Sequence, residues 1–198
     1  MTASARDIAA ALRERLPNAG VKKVHKLLYY AQGHHLAWFG QPLFEEEIHA
    51  YDMGPVVKTL WVREKHYAPD DTLPAVPLDE AELNTVGYVV SRYGNLSADQ
   101  LERLTHSESP WLRANLSRRP GGSVLIDAAW IREHFVTEGG PDAGDDDALP
   151  LDSAKVSAWL EGAAERYEAR YGGTPPGTVD EYDQLVARRD ELAARRGA

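Results

Sequence analysis

The sequence predicts a mainly α-helical fold: a compact multi-helix domain with one or two short β-strands, plus a C-terminal helical hairpin. Apolar residues recur at helical spacing through residues 21–38, which predicts a core helix. Residues 79–82 and 97–100 each form a capping box, the signature of a helix start. Extended patterns are short and few, at residues 43–51 and 124–126, so we expect helices to dominate.

The remaining helix boundaries follow from capping residues, glycine and proline. Gly40 ends the core helix and Pro42 prevents its continuation. Proline at a first helical position gives up an amide that has no partner there, so Gly54-Pro55 predicts another helix start. We expect further helices that begin after Ser4, at Ser109-Pro110 and after Asp127.

The chain divides by composition into three parts. Residues 138–150 are rich in glycine and aspartate and contain no basic residue, which predicts a solvated, flexible linker. We therefore expect a helical domain at residues 1–137, the acidic linker at 138–150 and a helical extension at 151–198. A two-helix hairpin cannot bury much aromatic surface alone, so the extension should dock on the domain or on a partner through Trp159, Tyr167, Tyr171 and Tyr182.

Composition and charge exclude several classes of protein. The absence of cysteine excludes disulfide scaffolds and thiolate metal sites. The formal net charge of −9 disfavours direct nucleic-acid binding, since phosphate contacts need a basic surface. The first sixteen residues scatter charges among alanines, unlike a signal peptide, and no apolar run is long enough to cross a membrane. We expect a cytoplasmic protein.

Sequence motifs for catalysis are missing. The chain has no phosphate-binding loop, no dinucleotide-binding turn, no nucleophile elbow and no zinc-binding histidine pair. The sequence therefore predicts a non-enzymatic protein without a metal or cofactor. An enzyme of unrecognised type would require a pocket lined by His34, His35 or His106 with perturbed pKa values.

Three other segments are richer in pattern than packing alone requires. Residues 26–33 read KLLYYAQG, residues 51–57 read YDMGPVV, and residues 105–111 read THSESPW. Glycine within a helix costs about 1 kcal/mol relative to alanine, so Gly33 predicts a close helix contact.

Together with the Pro-Leu-Phe segment at residues 42–44, these motifs resemble the SocA-like Panacea antitoxin domain, a bacterial family with many phage-associated members. The resemblance runs from about residue 21 to residue 135. It implies a helical domain that neutralises a protein toxin, usually encoded by the adjacent gene, by direct contact. In one branch of the family the antitoxin also delivers its toxin to a AAA+ protease. Four residues match family positions and carry polar tips that could order the domain's own turns or contact a partner: Tyr30, Tyr51, His106 and Glu108.

Two functional hypotheses follow. The first is the antitoxin of a type II toxin–antitoxin system that binds its cognate toxin, with a role in phage defence. The alternative is an adaptor that delivers a client protein to a AAA+ protease. A neighbouring toxin gene would favour the first hypothesis, and an isolated gene would favour the second.

Overall fold

The structure is a computed structural model that describes residues 3–66, 76–137 and 153–162. This part of the chain is mainly helical, as the sequence predicted, and includes a small antiparallel sheet. Its elements are, in chain order, α1 (Ala5–Arg15), α2 (Val21–Phe39), β1 (Ile48–Tyr51), β2 (Gly54–Val57), α3 (Lys58–His66), α4 (Glu80–Tyr93), α5 (Ala98–His106), α6 (Ser109–Leu116), β3 (Val124–Leu125), α7 (Ala128–Thr137) and α8 (Ser153–Glu161).

Most helix boundaries lie where the capping residues predicted them. Ser4, Asp79 and Ser97 each accept a hydrogen bond from the backbone amide three residues on, and all three caps are reciprocal capping boxes. Gly40 ends α2 in the left-handed conformation, with φ of 70°. Helix α6 differs by one position, because Glu108 rather than Ser109 is the N-cap residue.

The prediction of a helix from Pro55 was wrong, because residues 54–57 form β2. Gly54 has φ of 91° and closes a hairpin in which it lies opposite Tyr51, while Pro55 lies opposite Ala50. The sheet order is β2-β1-β3, so Pro55 is on an edge strand, where its missing amide is tolerated. Helix α3 begins only at Lys58. The sheet therefore has three strands rather than one or two.

Helix α2 lies at the centre of the domain. It contacts α1, α4, α5, α7 and β2, and its residues Leu27, Leu28 and Ala31 are fully buried. Helix α8 packs against α5 and buries Val156 completely. None of the helices in the described part of the chain is long and apolar enough to span a membrane.

Candidate partner-binding site

The site is built on α2, whose side chains bond to β2, α3, α4, α5 and the N-cap residue of α6. Nearly every side of this helix is buried, so its polar residues must find partners inside the protein. His25 shows the pattern: its Nδ1 accepts the backbone N–H of Val57 at 3.2 Å, and its Nε2 lies 3.3 Å from Glu64. One ring thereby joins α2 to β2 and α3.

Lys26 connects α2 to the β1–β2 hairpin. Its side chain is 1% exposed, and Nζ donates to the carbonyl oxygen of Pro55 at 3.0 Å. Burial lowers the pKa of Lys26 to about 7, because the charged form loses its hydration. A Cβ on Gly54 would lie 2.8 Å from this Nζ and 3.0 Å from the Thr105 hydroxyl, so the hairpin turn requires glycine for space as well as for φ.

Two tyrosines connect α2 to the α5–α6 junction. The hydroxyls of Tyr29 and Tyr30 each donate to a different carboxylate oxygen of Glu108, both at 2.8 Å. Burial raises the pKa of Tyr30 well above its usual value, and the nearby Glu108 carboxylate adds to the rise. Tyr30 also stacks on Tyr93, with ring centroids 4.1 Å apart. The Tyr30 hydroxyl therefore stays protonated and serves as a donor.

The second half of α2 contacts the segment at residues 43–44 and helix α7. Gln32 accepts the backbone N–H groups of Leu43 and Phe44 and donates to the Phe44 carbonyl at 2.9 Å. A Cβ at Gly33 would overlap the ring of Phe135 on α7. The close helix contact predicted for Gly33 is therefore confirmed.

Trp111 lies between the β1–β2 hairpin and the α5–α6 junction. It completes the set of buried side-chain contacts around α2 described above, which we call the buried framework. Trp111 is 2% exposed, and its indole N–H donates to the carbonyl oxygen of Tyr51 at 3.2 Å. His106 stacks on the indole ring at a centroid distance of 3.9 Å. Burial lowers the pKa of His106 well below its usual value, with Lys26 contributing. The imidazole is therefore neutral in this stack.

Ser109, His134 and Glu108 have the residue types of a catalytic triad, but their geometry does not support nucleophilic catalysis. Ser109 Oγ lies 3.5 Å from His134 Nδ1, and His134 Nε2 lies 3.7 Å from Glu108 Oε2. A nucleophile and its base normally lie 2.6–3.2 Å apart, about the length of a hydrogen bond. All three side chains are also buried, at 5%, 6% and 6% exposure respectively, which keeps a substrate carbonyl away from the hydroxyl.

The histidines that an enzyme hypothesis requires are neutral packing groups. Burial lowers the pKa of His34 to about 3, and burial also lowers the pKa of His35. His34 lies 2.8 Å from the Tyr93 hydroxyl, and His35 lies 2.9 Å from the Thr85 hydroxyl. Across residues 3–66, 76–137 and 153–162, no three acidic or histidine side chains converge as a metal site would require.

The four motif segments thus converge around α2. Residues 24–112 match the family model of the antitoxin SocA-like Panacea domain. The match covers somewhat less than half of the 198 residues and includes all four motif segments, so the resemblance predicted from the sequence is confirmed there. No curated protein and no solved structure matches the chain.

Residues 24–112 contain four of the predicted site residues, which differ in burial. Tyr30 and Glu108 are buried and bonded to each other. Tyr51 and His106 are half-buried and are joined through Trp111. All four therefore make contacts within the protein, and their role in binding a partner stays a prediction. Trp159 lies on α8, while Tyr167, Tyr171 and Tyr182 are outside the described residues.

Sequence reasoning missed the most exposed aromatic side chains among the described part of residues 24–112. Trp38 and Phe39, at the end of α2, are 46% and 49% exposed. Tyr88 on α4 is half-buried, and its ring centroid lies 4.8 Å from that of Trp38. We call these three residues the aromatic patch. The signal in the sequence was the Trp-Phe pair immediately before Gly40, which terminates the helix.

Proposed function

We propose that this protein is the antitoxin of a type II toxin–antitoxin system and neutralises its cognate protein toxin by binding it directly. The observation that carries the proposal is the match of residues 24–112 to the SocA-like Panacea domain. The buried state of Glu108, Ser109 and His134 is in keeping with a binding protein, since these groups have no access to a substrate.

The framework around α2 suggests how such a protein would work. Its polar groups hold the hairpin and the α5–α6 junction in fixed positions, so the surface is formed before a partner arrives. A preformed surface loses little conformational entropy on association, which favours a tight complex. Neutralisation would follow from covering the toxin's active site or from holding the toxin in an inactive shape.

The C-terminal part of the chain enters this proposal as a second contact region. Residues 151–198 remain a predicted extension after a predicted linker at 138–150, and α8, in the described part of this extension, packs against α5. We propose that the aromatic residues of this extension, Trp159, Tyr167, Tyr171 and Tyr182, contribute to partner choice. The cytoplasmic location and the role in phage defence stay predictions of the same proposal.

Co-expression with the product of the adjacent reading frame tests the function. We expect that this product alone arrests growth, that the full-length chain restores growth, and that the two proteins co-purify. A neighbour that is harmless, or toxic but neither bound nor counteracted, would contradict the antitoxin proposal. That outcome would favour the adaptor that delivers a client to a AAA+ protease.

A further inference from the structure

The aromatic patch is a contiguous exposed surface rather than scattered apolar residues. Trp38 and Phe39 are neighbours in the last turn of α2, and the Tyr88 ring stands nearly perpendicular to the Trp38 ring, at 85°. Single exposed apolar side chains are common on soluble proteins, whereas aromatic side chains are enriched at the centres of protein interfaces. Three such rings in contact therefore make the patch a candidate contact surface.

The two chain segments that form the patch contain no charged side chain. Neither residues 33–44, at the end of α2 and beyond it, nor residues 83–91 on α4 contain a lysine, arginine, aspartate or glutamate. His34 and His35 lie within the first segment, and burial lowers the pKa of both, so they are neutral at pH 7. The charged groups that act on these two histidines, Arg92 on His34 and Glu82 and Asp79 on His35, lie outside both segments. The patch is therefore apolar at its centre, which makes it complementary to an apolar surface.

The exposed rings of Trp38 and Phe39 each pack against a histidine of the preceding turn of α2. The Trp38 ring lies 5.2 Å from His34, and the Phe39 ring lies 4.6 Å from His35, between ring centroids. His35 is in turn fixed by the hydroxyl of Thr85. Aromatic side chains that are already ordered add contact area at a low cost in entropy, which is how binding hot spots are built.

The size of the patch and the charge of the chain argue against a second copy as the occupant. Trp38 and Phe39 together leave roughly 200 Å² of aromatic surface in solvent, against about 800 Å² a side in a standard interface. A second copy would offer the same small patch and bring another net charge of −9, which opposes association. A different protein can surround the patch with further contacts of its own.

We propose that the aromatic patch is the docking site for the toxin, and that it receives an apolar, uncharged surface of that protein. This inference rests on the proposed antitoxin function and adds to it the contact surface and the chemistry of recognition. The overall acidic charge of the chain then affects the rate of encounter more than the strength of the final complex.

Calorimetric titration of the full-length chain with the purified product of the adjacent gene tests the docking site. The Trp38→Ala/Phe39→Ala variant should bind at least about 100-fold more weakly, since exposed, ordered aromatic side chains are typical hot-spot residues. The Leu116→Ala/Leu125→Ala variant is the matched control, because it removes two side chains that are 72% and 46% exposed elsewhere on the surface. It should bind as tightly as the unmodified chain.

Two further measurements separate the possible failures. Phe39→Glu keeps the Trp38 packing and places a charge in the patch, so it should weaken binding while its thermal unfolding curve stays close to that of the unmodified chain.

Equal affinity of both patch variants and the unmodified chain would overturn the docking site but leave the antitoxin function intact. An unmodified chain that does not bind the product of the adjacent gene would reject both the docking site and the antitoxin function. A dimer in light scattering that Trp38→Ala/Phe39→Ala converts to a monomer would overturn the docking site in favour of self-association.

Discussion

Glu108 is the acceptor for two buried hydroxyls, those of Tyr29 and Tyr30. Glu108→Ala should lower the free energy of unfolding by about 2–4 kcal/mol, because it leaves both hydroxyls without this acceptor. Glu108→Gln keeps one oxygen acceptor and should cost about half as much. Urea denaturation measures both values. Equal losses for the two variants would contradict this account, because they would show that the carboxylate charge, which both variants remove, matters rather than the number of acceptor oxygens.

Lys26 should make stability depend on pH in a predictable direction. Burial lowers its pKa to about 7 from an ordinary value of 10.5, so between these pH values the unfolded chain binds more protons than the folded one. The free energy of unfolding therefore rises with pH over this range.

The Lys26→Met variant lacks this titration and serves as the reference for the effect. Between about pH 7 and pH 9.5, the unmodified chain should gain about 3 kcal/mol of stability relative to the variant. Denaturation at the two pH values gives the difference directly and cancels the titration of all other groups. A difference that stays constant with pH would contradict a neutral, buried Lys26.

Residue patterns identified candidate site residues but did not predict which contacts each of them makes. Tyr30 and Glu108 stood out by motif, yet only the fold shows that they bond to each other across 78 residues of sequence. Trp38 continues the apolar register of α2, so periodicity assigns it to the core. It is exposed because the structure places no other element over the end of α2 among the described residues.

Helix α2 and helix α7 meet at a contact that only glycine allows. Gly33→Ala should destabilise the protein by about 1–3 kcal/mol, because the added methyl group overlaps the Phe135 ring. In a Phe135→Ala background the same change should be neutral or stabilising by up to about 1 kcal/mol, since alanine favours helix. A double-mutant cycle measures this coupling. Additive effects would contradict the contact.

The β1–β2 hairpin shows why element type was harder to predict than element position. Gly54-Pro55 suits a helix start and also suits a tight turn that leads into an edge strand. The choice depends on partners outside the Gly-Pro motif: Ala50 lies opposite Pro55, and Lys26 binds the Pro55 carbonyl from α2. The capping boxes at residues 79–82 and 97–100 depend only on residues three apart and were predicted, whereas at Ser4 the N-cap was predicted but not its reciprocal bond with Asp7.

Helix α8 follows the predicted linker at residues 138–150 and packs against α5. Val156 on α8 is fully buried against the domain, and its neighbour Ser157 is exposed. Val156→Asp should detach α8, lower the free energy of unfolding by about 1–3 kcal/mol and speed proteolysis near residue 156. Ser157→Asp is the matched control and should do neither. Unchanged proteolysis of Val156→Asp would contradict the docking of α8.

The whole molecule combines a buried framework, which contains the motif segments, with an exposed aromatic patch at the end of α2. The fold class, most helix boundaries and the resemblance to the SocA-like Panacea domain were predictable because they depend on local patterns. The exposed surface was not, since it depends on which residues the other helices leave uncovered.

Hydrogen exchange of the full-length chain, free and mixed with the purified product of the adjacent gene, tests most directly whether the protein neutralises a toxin by binding it. We expect exchange to slow in peptides that cover residues 34–44 and 83–91, while peptides around Glu108 keep the slow exchange of the buried framework. Identical exchange in the two samples at every peptide would contradict direct binding.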